Sequence, residues 1–301
     1  MNASTPDQRP FFALMLRLAA AASLALLVAL VKLGSESGIA LPEILFWRQL
    51  PTVPLILLFF WSKGRMADLK TDRLPQHGKR AVIGLMGMVL NFGAVTLLPL
   101  AEATTFNFTS AIWAVILSAL ILHEHIGIWR WSAVALGFGG VIIITQPGDG
   151  HIPVLGAAVA LGAAFMIALI SILIRDLSRT EQPLVIVFYF SLLSLPILGG
   201  ALPFFWTEKT VEQWAILIGA GLVGLLGQFL LTAALRYGSV ASVIVMDYSG
   251  LLWATLLGYA LFEALPSTTT WLGAPLVVAA GLIIAWRENL VRKKVRPPAT
   301  L

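Results

Sequence analysis

The chain has 301 residues, 58% of them hydrophobic and only 12% charged, with a mean hydropathy of +0.90. Soluble domains carry about 25% charged residues, so the composition excludes a soluble globular domain and indicates a polytopic membrane protein. The net charge of +5 fits cytoplasmic membrane loops rather than a nucleic-acid partner, and the lack of cysteine excludes disulfides, thiolate metal sites and cysteine nucleophiles.

A membrane-spanning helix needs roughly 17–25 mostly apolar residues. Residues 1–11 form a short polar segment, and ten candidate runs follow it. The first half holds 12–33, 42–60, 81–99, 102–122 and 130–146. The second half holds 154–174, 183–203, 213–233, 239–262 and 269–286, before a basic tail at 287–301. The first apolar run is too long for a signal-peptide core and reads as an uncleaved span. The runs are continuously apolar rather than alternating, so helices are expected and a barrel is not.

Charge placement gives the orientation. With the N-terminus in the cytoplasm, 17 of the 20 lysines and arginines fall inside. They include Arg9, Arg17, Lys63, Arg65, Lys70, Arg73, Lys79, Arg80, Arg130 and the tail. Lys32 and Lys209 fall outside, and Arg48 lies within a span. This bias predicts ten spans with both termini cytoplasmic.

The two halves echo each other. Leu45-Phe46-Trp47 precedes Pro54, and about 142 residues later Val187-Phe188-Tyr189 precedes Pro196. Glu124, Trp131 and Gly140 recur as Glu263, Trp271 and Gly281. Two copies of five spans, 12–146 and 154–286, must be inverted relative to each other because five is odd. Inverted repeats allow alternating access to a central site.

The string Gly227-Gln228, Asp247-Tyr248, Leu252-Trp253-Ala254, Leu257-Gly258-Tyr259, Phe262-Glu263 and Pro266, continuing through Gly281-Leu282 and Arg287-Glu288, resembles the drug/metabolite transporter superfamily in its EamA-type branch. The spelling is most similar to S-adenosylmethionine-type uptake carriers. Phe262-Glu263 departs from the usual Gly-Glu pair. The resemblance implies an all-α fold of ten transmembrane helices. It also implies export or uptake of small metabolites such as amino acids, nucleoside-like compounds or drugs, and a cavity lined by spans one, three, four, six, eight and nine.

Asp247 is the sharpest candidate, because an ionised Asp inside a span must face protein or water. It could bind a substrate cation, couple protons, or serve as a structural partner for Arg48 or a backbone group. Arg48 could hold a carboxylate or phosphate bidentately, or form an ion pair, or snorkel outward. Asn107 lies on a stripe with Thr104, Ala111, Ala114 and Ser118, and matches Asp247 across the repeats within about one residue. Asn91 and Gln228 occupy matching helices and could bond substrate or a neighbouring helix. Trp113, Tyr189, Tyr248 and Trp253 could stack on an aromatic or cationic ligand, or face lipid. Glu124 and Glu263 read as gate-pairing or turn-capping residues. His123-Glu124-His125 reads as a loop edge rather than a metal site, and His77 and His151 read as loop residues.

These features predict a secondary carrier of small organic metabolites in the bacterial cytoplasmic membrane. It would work by alternating access, driven by a gradient or by exchange. Its partners would be a small-molecule substrate and the bilayer, with no cofactor and with either a monomeric or a homodimeric state. The alternatives are an integral membrane enzyme, for which the sequence offers no His/Asp/Glu cluster, or a non-transporting assembly protein.

Overall fold

The structure is a computed structural model that describes residues 10–121, 127–146, 152–177, 180–237 and 245–295. Its helices are α1 (Pro10–Glu36), α2 (Leu41–Gln49), α3 (Thr52–Ser62), α4 (Leu74–Leu97), α5 (Leu100–Phe108), α6 (Ser110–Ile121), α7 (Ile128–Thr145), α8 (Val154–Leu177), α9 (Pro183–Phe205), α10 (Val211–Tyr237), α11 (Ser249–Phe262) and α12 (Thr268–Val295). Single 3-10 turns occupy Met66–Leu69 and Val245–Tyr248. The described residues form helices and connections only, so the protein is all-α. Nine spans among them are long and apolar enough to cross a membrane. The remaining expected span, 239–262, begins outside the described residues.

Two expected spans are broken. Span two divides into α2 and α3 at Leu50-Pro51, because Pro51 has no N–H for the ladder. Span four divides into α5 and α6 at Thr109.

Outward faces are apolar, as lipid requires. On α4 the exposed residues Val82, Met86 and Val89 recur at helical spacing, and on α10 so do Ile218, Leu222, Leu226 and Phe229. Inward faces are small, since helices in lipid associate by close packing. At Gly87 of α4 a Cβ would meet Ile170 Cδ1 of α8 at 2.7 Å. At Gly227 of α10, 140 residues later, it would meet Leu24 Cδ2 of α1 at 2.9 Å.

The helix pairs show the same matching. α1 packs on α10 as α8 packs on α4, and α7 packs on α12, its own counterpart. One apolar core joins both halves through Ala29, Ala94, Leu98, Phe106, Ala160, Ala254 and Val277.

Many polar contacts between distant segments gather in two sets, one at each end of the bundle. At the basic end Thr71 donates to Glu181 at 2.5 Å, Arg73 pairs with Asp176, and the Tyr189 hydroxyl donates to Leu69 O at 2.8 Å. At the opposite end Gln213 donates to Ser37 O at 2.8 Å, Lys32 to Leu98 O at 2.8 Å, and Ser267 N to Glu102 Oε1 at 3.1 Å. The described connections therefore alternate ends, as in a chain that crosses the bundle with each span.

Candidate functional site

Matched positions of the two repeats hold two junctions, one between α5 and α6 and one between the 3-10 turn Val245–Tyr248 and α11, and each carries a short-range hydroxyl bond. Thr109 Oγ1 donates to Phe106 O at 2.6 Å, and Ser249 Oγ donates to Met246 O at 2.6 Å. Each hydroxyl bonds the carbonyl three residues back, as those of Ser132 and Ser194 do within unbroken helices. The two positions lie 140 residues apart, at the start of α6 and of α11. Just before each junction stand an aromatic and a polar residue, Phe108 with Asn107 and Tyr248 with Asp247. The Phe108 and Tyr248 rings meet edge-on with centroids 4.9 Å apart, so the two junctions face each other across the repeats. Gly281 makes room, because a Cβ there would collide with the Tyr248 hydroxyl.

Asn107 Nδ2 donates to Asn91 Oδ1 of α4 at 2.7 Å, which brings two of the expected site residues together. Asn107 Oδ1 is buried with no hydrogen-bond partner. Asp247 sits in the 3-10 turn rather than within a continuous helix. Its two oxygens accept a fork from Arg17 of α1, with Nε to Oδ1 at 2.5 Å and Nη2 to Oδ2 at 2.6 Å. The expectation of a structural pairing with Arg48 is therefore corrected: the partner is Arg17. The Arg17 side chain is 11% exposed and that of Asp247 40%. The pair thus lies at the edge of the packed interior, where bidentate geometry adds strength and solvent still screens part of it.

Arg48 is held between α2, α4 and α10. Nη1 donates to Gln49 Oε1 at 3.2 Å and approaches Met88 Sδ at 3.1 Å. The guanidinium lies 5.2 Å from the Phe92 ring centroid, and a Cβ at Gly224 would touch Arg48 Cγ at 3.5 Å. Gln228 is one helical turn beyond Gly224. At the spacing of 140 that aligns Asn107 with Asp247 it matches Met88, while Asn91 matches Leu231.

Trp113 and Trp253 are also 140 apart, and both indole N–H groups are buried without a partner. Trp113 packs edge-on against Phe138 at 5.7 Å and Phe165 at 5.4 Å. Tyr189 stands apart from this group: its hydroxyl is committed to Leu69 O, and its ring lies 4.6 Å from His77.

Several buried polar residues had no assigned place in the sequence reading. Arg17 was counted as a topology charge, although it lies inside the first apolar run, where an arginine calls for a partner. His77 was expected in a loop; it occupies the first turn of α4, fully buried and 3.7 Å from Glu181. Glu43 of α2 and Lys209 pair at 2.9 Å with both side chains fully buried. Glu102 is buried and accepts from Ser267 N and Thr270 Oγ1, capping the start of α12. Glu263 ends α11 in a left-handed conformation, φ 53°. Glu124, His123, His125 and His151 lie outside the described residues. Among the described residues no group of three His, Asp or Glu side chains could hold a metal ion.

Comparison with known proteins gives one family. The EamA-like transporter family matches residues 11–146 and again 154–286. The chain is 29% identical over 245 residues to a riboflavin transporter of Vibrio cholerae, covering 80% of this chain and 82% of that protein. It is 30% identical over 266 residues to a pseudopaline exporter of Pseudomonas aeruginosa, covering 85% and 90%. It is 26% identical over 254 residues to an S-adenosylmethionine uptake transporter of Rickettsia bellii, covering 84% and 86%. One solved crystal structure covers 96% of this chain and all of its own, with a TM-score of 0.61 at 18% identity, a likeness of fold alone.

Proposed function

Because this chain belongs to the EamA-like transporter family, we propose that it moves a small organic metabolite across the bacterial cytoplasmic membrane by alternating access. Two inverted repeats, 12–146 and 154–286, would rock about the point where Phe108 and Tyr248 meet, with both termini in the cytoplasm. The observation that carries this reading is the matched pair of polar groups Asn107 and Asp247, 140 residues apart at the two junctions and each held from a neighbouring helix. Discontinuous helices at a repeat interface free backbone groups for a ligand, and such backbone is tolerated in a membrane where it lines a cavity or is buried in protein.

Asn107, Asn91, Trp113, Trp253, Tyr248 and Gln228 would contact substrate, with Arg48 beside them. Asn107 Oδ1 offers an acceptor, and the two tryptophan N–H groups offer donors. Asp247 would serve as the coupling residue, its link to Arg17 joining the second repeat to the first helix. Tyr189 would anchor the 3-10 turn at the basic end.

Riboflavin and S-adenosylmethionine, named for relatives, are the first substrates to test, followed by amino acids. The experiment is counterflow in proteoliposomes: purified protein preloaded with unlabelled compound should accumulate the labelled one. Absence of counterflow for every compound that stabilises the protein would refute the carrier reading.

A further inference from the structure

One face of α4 carries His77, Arg80, Gly84, Met88, Asn91, Phe92 and Val95 at helical spacing. Two guanidinium groups lie along it. Arg80 rests over the Phe190 ring of α9 at 4.3 Å, and Arg48 over the Phe92 ring at 5.2 Å. Arg80 Nε and Nη1 and Arg48 Nε are buried without hydrogen-bond partners. Neither guanidinium has a carboxylate at ion-pair distance among the described residues. The nearby carboxylates are committed elsewhere: Glu43 to Lys209, Asp176 to Arg73, Glu181 to Thr71 and His77.

Both rings border the same apolar cluster, which includes Leu27, Met88, Phe92 and Leu198. Two half-buried cations with buried, unpartnered nitrogens on one apolar cluster and no anion form an unbalanced arrangement. Ring contacts compensate only a small part of the desolvation of a guanidinium. Gly84 preserves the arrangement, because a Cβ there would strike the Arg80 head and lie 2.8 Å from Phe190 Cε2. Along α4 the step from Arg80 to Met88, where the Arg48 head sits, is about 12 Å.

We propose that the missing partner is the substrate, and that the substrate is an organic anion whose carboxylate or phosphate is held first by Arg80 near the basic end and then by Arg48 near the middle. This inference rests on the carrier reading and names its substrate class. Arg48 is the deeper station, since Gln49, Met88 and Phe92 fix its fork on three sides and leave Nε for a ligand. A phospholipid headgroup carries the same chemistry and could reach Arg80 from the basic end, so the test separates the two sources.

The protein is purified into phosphatidylcholine nanodiscs, and its thermal midpoint is read with succinate, inorganic phosphate or chloride at equal ionic strength. Succinate or phosphate at ten times Kd should raise the midpoint by about 3–6 °C above chloride. Arg48→Gln should abolish that shift, and Arg80→Gln should reduce it. Arg48→Lys keeps the charge but loses the fork, so it should retain less than half of the shift; it decides the matter if Arg48→Gln does not fold. Gly84→Ala, which leaves both charges in place, should weaken the shift by displacing Arg80. Equal midpoints in all three salts would overturn the proposal, as would a full shift in Arg48→Gln or Arg48→Lys. A shift produced by phosphatidylglycerol, and by neither soluble anion, would assign Arg80 to a lipid headgroup and also overturn it. Riboflavin counterflow with the same protein in proteoliposomes reports on the carrier reading separately: counterflow insensitive to both anions leaves that reading standing and removes this one.

Discussion

Asp247→Asn tests the centre of the argument. The substitution keeps the shape of the side chain and removes the charge that receives the Arg17 fork at 2.5 and 2.6 Å. Removing one partner of a buried pair costs about 3–5 kcal/mol, whereas exposed pairs are worth about 0–1 kcal/mol. With side-chain exposures of 11% for Arg17 and 40% for Asp247, the cost falls between these limits, at about 2 kcal/mol. The thermal midpoint in detergent should therefore drop by about 4–8 °C. A double-mutant cycle with Arg17→Gln isolates the pair: the double variant should lose less than the sum of the two single losses, by about 1–2 kcal/mol. Counterflow should fall in Asp247→Asn even at temperatures where the variant is fully folded. Additive losses within about 0.5 kcal/mol, with wild-type counterflow, would refute both the pairing and its role in transport.

Three further outcomes follow from the packing. Thr109→Val and Ser249→Ala each remove a hydroxyl that bonds three residues back, so each should change stability by under about 1 kcal/mol while lowering counterflow several-fold; unchanged counterflow in both would dismiss these two junctions as part of the transport path. Glu43→Gln strands the Lys209 ammonium in a fully buried position and should cost about 3–5 kcal/mol, seen as a lower midpoint that Lys209→Met in the same chain largely restores; a tolerated single substitution would contradict the burial of the pair. Gly273→Ala would place a Cβ 2.5 Å from Gly140 O, so it should destabilise the α7–α12 contact by about 1–3 kcal/mol; an unchanged midpoint would show that the helices do not approach so closely.

Composition and run length were enough to expect a helical membrane protein, because lipid admits only chains whose backbone bonds close within a helix or a sealed barrel. The duplication was legible because it repeats small and aromatic residues that pack. Gly87 with Gly227, Asn107 with Asp247 and Trp113 with Trp253 all keep one spacing of 140. Partners were less legible. Asp247 was singled out for its charge, yet its partner 230 residues away, Arg17, had been assigned to topology because it lies near an end rich in basic residues. His77 looked like a loop residue because the loop before α4 is polar; only the packing of Tyr189 and Glu181 against it shows that it is buried.

The sequence by itself determined the solvent of this protein, the class of its elements and the existence of two related halves, because these depend on hydrophobicity and spacing along the chain. The tertiary structure decided which polar groups satisfy one another, which helices break and which cations are left without an anion. Those outcomes depend on distances between helices remote in sequence.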